Sequence, residues 1–244
     1  MRNTLVVAAL CLLLSSTAQA ATEIALDEPH NDVASTVSLQ RGAKYFVNYC
    51  LGCHSAQYVR YNRLAEDLQL SEEQLVDNLM FTGEQPFDTM VNAMRSEDAI
   101  RWFGIAPPDL TLIARSRGTD YLYTFLRSFY AQPSSPTGAD NLVLPNTAMP
   151  HVLWELQGTR RATFEIDAEH GEEEVFVGFE RISSGTLNEK EYDQLVRDIV
   201  NFLDYTSEPM QLQRKALGIR VIAFLLVFLL IAYLLKKEMW KDVE

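Results

Sequence analysis

Two cysteines and a histidine fall within five consecutive residues, Cys50-Leu51-Gly52-Cys53-His54. Helical positions i and i+3 share a face, so both thiols can reach one edge of a flat partner. The imidazole that follows directly lies on the same side. That order is the one through which c-type haem is attached, by two thioethers with a histidine under the iron. Two rival chemistries use the same residue types. Zinc needs about four ligands, whereas His30, His151 and His170 are scattered without ligand spacing. A redox dithiol belongs to a βαβ setting, which the pattern of this chain does not offer.

An iron that transfers electrons needs a sixth ligand, and a methionine thioether favours the ferrous state. Met80, Met90, Met94, Met149, Met210 and Met239 are the methionines beyond the first residues. Met239 lies past the apolar tail segment and Met210 at its start. Met80 and Met94 are explained by helix packing, the usual work of methionine. Met149 closes a long loop with Pro150 behind it, so position alone leaves it either a ligand or a gap-filler. Arg115 and Arg117 are candidate partners for the two haem propionates, because arginine pairs bidentately with carboxylates. Solvated surface charge is the competing reading of each.

The elements around these residues are mostly helical by pattern. A helix capped by Ser38 carries Ala43, Phe46, Val47 and Cys50 at helical spacing and ends near His54. Ser71 and Gln74 form a capping box for a second helix, which residues 83–86 break. Ser96 caps a short helix over 96–103. Asp109 caps another, to about Arg117, with Gly118 as its stop. Residues 119–130 continue as helix. Residues 131–150 hold four prolines and read as a structureless loop, a length that usually has a functional reason. Residues 162–168 and 175–181 alternate and flank an acidic tip, predicting a hairpin. Asn188 and Glu191 box a helix to about Tyr205, and Pro209 opens the last one.

Residues 1–20 carry one charge, an apolar stretch and Ala18-Gln19-Ala20, the plan of a secretory signal peptide. Cys11 lies within it, so the exported chain keeps Cys50 and Cys53 and at most one disulfide. Residues 216–235 are apolar apart from Gly218 and Arg220, long enough to span a bilayer. Lys236, Lys237 and Lys241 form a cytoplasmic flank. The expected division is a signal peptide over 1–20, an exported domain over 21–210 and an anchor with a short tail over 211–244. The exported part has 14 Lys/Arg against 30 Asp/Glu, a net charge of −16. That balance argues against nucleic acid and for a basic protein partner. Two acidic stretches stand out: Glu66, Asp67, Glu72, Glu73 and Asp77, and the hairpin set Glu165, Asp167, Glu169, Glu172, Glu173 and Glu174.

Taken together the motifs resemble the cytochrome c1 family, the haem subunit of the quinol–cytochrome c oxidoreductase (bc1) complex. The landmarks are Arg41-Gly42, Cys50 to Ser55, Tyr58, Tyr61 and Leu64, Pro107-Pro108-Asp109-Leu110 and Arg115-Ser116-Arg117. Asp120-Tyr121, Ala148-Met149-Pro150, Glu208-Pro209 and Leu234-Leu235-Lys236-Lys237 complete the series. The resemblance covers nearly all of the exported chain. It implies one haem c on Cys50 and Cys53, with His54 and Met149 as axial ligands and Arg117 and Tyr121 beside the propionates. It implies cytochrome b and the Rieske iron–sulfur protein as partners, a cytochrome c as acceptor, and a dimeric complex. Two departures are visible. His151 follows Met149-Pro150 where many relatives have further prolines, and the 131–150 loop is short, which fits a bacterial form.

The expected fold class is mainly α: a cytochrome c-like haem domain with a small β-hairpin insertion and one C-terminal transmembrane helix. The domain would stand in the periplasm and the C-terminus in the cytoplasm. Two other functions remain open on the residues alone. One is an anchored cytochrome feeding another terminal oxidase or reductase. The other is a haem-based ligand sensor with an open sixth site.

Overall fold

Apolar residues at positions 39, 43, 46 and 47 mark one face of a helix, and that face is buried. In the computed structural model, which describes residues 24–167 and 173–241, this helix, α1, runs Thr36–Tyr49. Its cap is Ser35 rather than Ser38, because the Ser35 side chain accepts the Ser38 amide. Ser38 is buried in the first turn, and its hydroxyl donates 2.7 Å to Asp198. The expected signal peptide over 1–20 lies outside the described residues, as does His170.

Three short segments follow: β1 (Ala56–Arg60), α2 (Tyr61–Leu68) and α3 (Glu72–Asn78). The capping box at Ser71 and Gln74 is present, but α3 ends before residues 83–86. Next come β2 (Thr89–Met90), α4 (Ser96–Phe103), α5 (Ile113–Arg117) and α6 (Thr119–Arg127). Two of the expected caps moved. Arg95, not Ser96, occupies the cap position of α4. Asp109 does not cap α5, which starts four residues later.

The 131–150 loop is not structureless. β3 (Phe129–Ala131) and β4 (Ala139–Asn141) pair antiparallel across it, with Phe129 opposite Asn141. After the short α7 (Trp154–Gln157), the expected hairpin appears as β5 (Arg160–Asp167) and β6 (Glu173–Arg181). α8 (Glu189–Ser207) has the capping box of Asn188 and Glu191. Finally α9 (Gln211–Met239) has a mean hydropathy of 2.6 over its most apolar window and is long and apolar enough to cross a membrane.

The core forms where α1 crosses α8, with α5 and α6 also against α8. Phe46 and Phe202 are fully buried with ring centroids 5.3 Å apart, each burial worth about 1.5–3 kcal/mol. Gly42 sets the crossing distance, since a Cβ there would stand 2.1 Å from the Asp198 carbonyl oxygen. Beside it, Arg41 donates through Nε (2.6 Å) and Nη2 (2.8 Å) to the buried Asp198 carboxylate. The Arg41-Gly42 pair is thus a helix-crossing device.

Candidate functional site

The cysteine–histidine motif occupies the turn that leaves α1. The helix stops at Tyr49, before the expected end near His54, and Cys53 and His54 both donate their amides to the Cys50 carbonyl (3.0 and 2.8 Å). One tight turn therefore holds all three side-chain positions together. His54 Nδ1 lies 2.8 Å from the Pro108 carbonyl oxygen. A carbonyl can only accept, so Nδ1 carries the hydrogen and Nε2 keeps its lone pair, as metal-ligating histidines require. Burial lowers the His54 pKa, opposed in part by the Pro108 bond and by Asp109.

The segment 107–110 is fastened to this turn on both sides. Leu110 donates to Ser55 O (2.8 Å), and the Asp109 carboxylate accepts from Gln57 N (2.8 Å) and Thr111 N (2.9 Å). Asp109 thus clamps two segments instead of capping a helix. Asn92, which the sequence did not single out, donates its side-chain Nδ2 to the Cys53 carbonyl and its backbone N–H to Ser55 Oγ at 3.0 Å.

Met149 is placed by different means. Asn141 is fully buried; its Nδ2 donates to Phe125 O (2.8 Å), at the end of α6. Its Oδ1 accepts from Val143 N (2.9 Å), Leu144 N (3.2 Å) and Ser128 Oγ (3.0 Å). Asp140 Oδ1 accepts from Thr147 N (3.3 Å), and Thr147 Oγ1 from Met149 N (3.4 Å). Asparagine and aspartate organise turns through such bonds, so the Asp140-Asn141 pair was the available signal in a loop that sequence reading left blank.

A third wall is aromatic. Tyr121 stacks on Phe125 (6.1 Å, 7°), Phe125 meets Phe129 edge-on (5.1 Å, 72°), and Phe129 stacks on His151 (5.0 Å, 1°). Arg117 lies over the Tyr121 ring at 5.5 Å. The two arginines separate here. Arg115 is held by Glu208 at 3.3 Å, whereas Arg117 has no ion pair among the described residues. Cys50, Tyr121, Phe125 and Met149 are all half-buried and pack against the same core, with Leu110 and Ile113.

This donor set suits haem c better than its rivals. Both thiols are free. Burial, with a smaller push from Cys53, raises the Cys50 thiol to about 12, the opposite of an activated redox thiolate. No group of three or more His, Cys, Asp or Glu that could hold a metal ion occurs among the described residues. A helical domain with a haem-attachment motif and one apolar tail helix defines a c-type cytochrome on a membrane anchor.

A family model described as the Cytochrome C1 family matches residues 30–243. Cytochrome c1 of Allochromatium vinosum is 49% identical over 219 residues, covering 90% of this chain and 90% of that protein. The ammonia monooxygenase gamma subunit of Nitrosomonas europaea is 44% identical over 222 residues, covering 91% and 90%. A protein named cytochrome b/c1, from Bradyrhizobium diazoefficiens, is 28% identical over 242 residues, covering 84% of this chain and 33% of its own length. The chain belongs to the cytochrome c1 family, the haem-bearing electron-transfer subunit of the bc1 complex.

Proposed function

We propose that this chain takes single electrons from the Rieske iron–sulfur protein and delivers them to a basic cytochrome c. Haem c, when bound, supplies a one-electron iron couple. Cys50 and Cys53 would hold it covalently through their sulfurs, and His54 and Met149 would supply nitrogen and sulfur ligands to its iron. Arg117, which has no ion pair among the described residues, and Tyr121, through its hydroxyl, would hold the propionates. The observation that carries this reading is the His54 Nδ1 to Pro108 bond, which leaves the Nε2 lone pair free on the same turn as two free thiols. The aromatic wall of Tyr121, Phe125 and Phe129 and the half-buried Met149 exclude water, which favours electron transfer over ligand exchange at the iron.

The leader over 1–20 exports the domain 21–210 to the periplasm of a bacterial inner membrane, and α9 anchors it with the C-terminus in the cytoplasm. Cytochrome b is the membrane partner, within a dimeric complex; the relative named cytochrome b/c1 supports that neighbour. Purification in mild detergent tests the assignment: cytochrome b and the Rieske protein are expected in the same complex. Recovery with a terminal oxidase or a monooxygenase instead would overturn it. A ferrous spectrum that shifts under carbon monoxide would point to the open-site sensor.

A further inference from the structure

Met149 is held from both directions along the chain, and the two holds differ in strength. Upstream, its amide reaches Thr147 Oγ1 at 3.4 Å, and the Thr147 amide reaches Asp140 Oδ1 at 3.3 Å. Both are long beside the roughly 2.9–3.0 Å of an ordinary N–H···O bond. Downstream stands His151. Its ring lies flat against Phe129, with centroids 5.0 Å apart and planes 1° from parallel, and Phe129 is itself fully buried in β3. An offset stack of this kind contributes about 0.5–1.5 kcal/mol beyond the area it covers.

A second contact fixes the rotation of the ring on its stack. Gln157, at the end of α7, faces the imidazole as its hydrogen-bond partner. The Gln157 amide nitrogen is engaged by Arg127 O at 3.4 Å, so its oxygen is the group left to accept from the ring. His151 Nε2 and Gln157 Oε1 are both shut off from solvent, with no other partner among the described residues. The chain beyond is fixed as well. The His151 carbonyl accepts from Trp154 N at 3.3 Å, Val152 packs on the core and Leu153 is buried.

Between this docked ring and the thioether there is only Pro150. Proline fixes its own φ at about −65° and restricts the residue before it to extended backbone. Two Cα steps span at most about 7 Å. A displacement of His151 is therefore passed on to Met149 rather than absorbed between them. We propose that His151 is the positioning residue for Met149: its stack on Phe129 and its bond to Gln157 hold the thioether where the iron can use it. The inference rests on the reading of Met149 as a ligand. Phe129 also meets Phe125 edge-on, so the aromatic wall and the loop that carries Met149 share one ring.

The carbon monoxide affinity of the ferrous, haem-loaded, full-length protein in detergent tests this role, with the reduction potential and chemical unfolding measured on the same samples. His151→Leu removes both ring and bond. It should raise the affinity at least tenfold and lower the potential. His151→Phe keeps the stack and should stay within about threefold of the unchanged protein. His151→Gln keeps a partner for Gln157 without the stack, and carries the expectation of His151→Leu should that variant not accumulate. Lost stability with unchanged affinity and potential in the variants that lack the ring would mean ordinary packing and overturn the proposal. A His151→Phe protein that behaves like His151→Leu would overturn it too. Met149→Leu keeps the underlying reading separate, since it should bind carbon monoxide whatever His151 does. If it does not, the ligand assignment falls and the proposal with it; if it does while His151→Leu does not, the proposal alone falls.

Discussion

On the His54 side, the proposed ligand and both thiols lie within five positions, and the carbonyl of Cys50 holds the turn that presents them. On the Met149 side, one methionine depends on a buried asparagine, an aspartate and a threonine, which tie 140–149 to the end of α6. The first arrangement is local and covalent in prospect. The second is tertiary and held by hydrogen bonds, each worth about 0.5–1.5 kcal/mol net. A local motif survives modest damage to the fold around it, whereas a loop ligand is lost once its supports go.

The sharpest way to break that comparison is to remove the covalent side. Cys50→Ser with Cys53→Ser should abolish covalent haem, leaving no haem-stained band after denaturing electrophoresis. Retained stain would end the thioether assignment. Met149→Leu comes next. Haem should stay attached, while the reduction potential falls by a sizeable part of the roughly 0.8 V that axial ligation spans. Carbon monoxide should then bind the ferrous protein. Met80→Leu, half-buried against the core, should do neither, and the reverse result would move the ligand to Met80.

Asn141→Leu sharpens the comparison further. It strips partners from Phe125 O, Val143 N, Leu144 N and Ser128, so a loss of about 2–4 kcal/mol is expected by chemical unfolding. Part of the population should bind carbon monoxide before global unfolding. Asp109→Ala removes the clamp on the opposite side, and about 1–2 kcal/mol is expected without any change in ligation. If Asp109→Ala opened the iron and Asn141→Leu did not, the contrast between the two sides would be wrong.

The smallest effect expected is kinetic. Reversal at the exposed Glu72 and Glu73 should slow electron transfer to a basic cytochrome c several-fold at low salt. The difference should fade as the Debye length shrinks from about 10 Å at 0.1 M toward 3 Å at 1 M. Asp67 from the same stretch contributes less, because Arg63 and the Tyr205 hydroxyl already hold it at 2.8 and 2.7 Å. A rate independent of salt would indicate a tethered acceptor or apolar docking.

Sequence alone determined what depends on neighbours along the chain. The spacing of Cys50, Cys53 and His54, the capping boxes at Ser71 and Asn188, the alternation of the hairpin and the apolar run of α9 are all short-range patterns, and each has its counterpart in the fold. Tertiary structure decided whatever required knowing which distant groups meet. Only the α1–α8 crossing explains Arg41-Gly42, because Asp198 lies more than 150 positions away. Only Glu208 separates Arg115 from Arg117, by occupying one and not the other. The loop before Met149 looked structureless because its order comes from a buried amide bonding to the backbone of another element, and such bonds leave no periodicity to read.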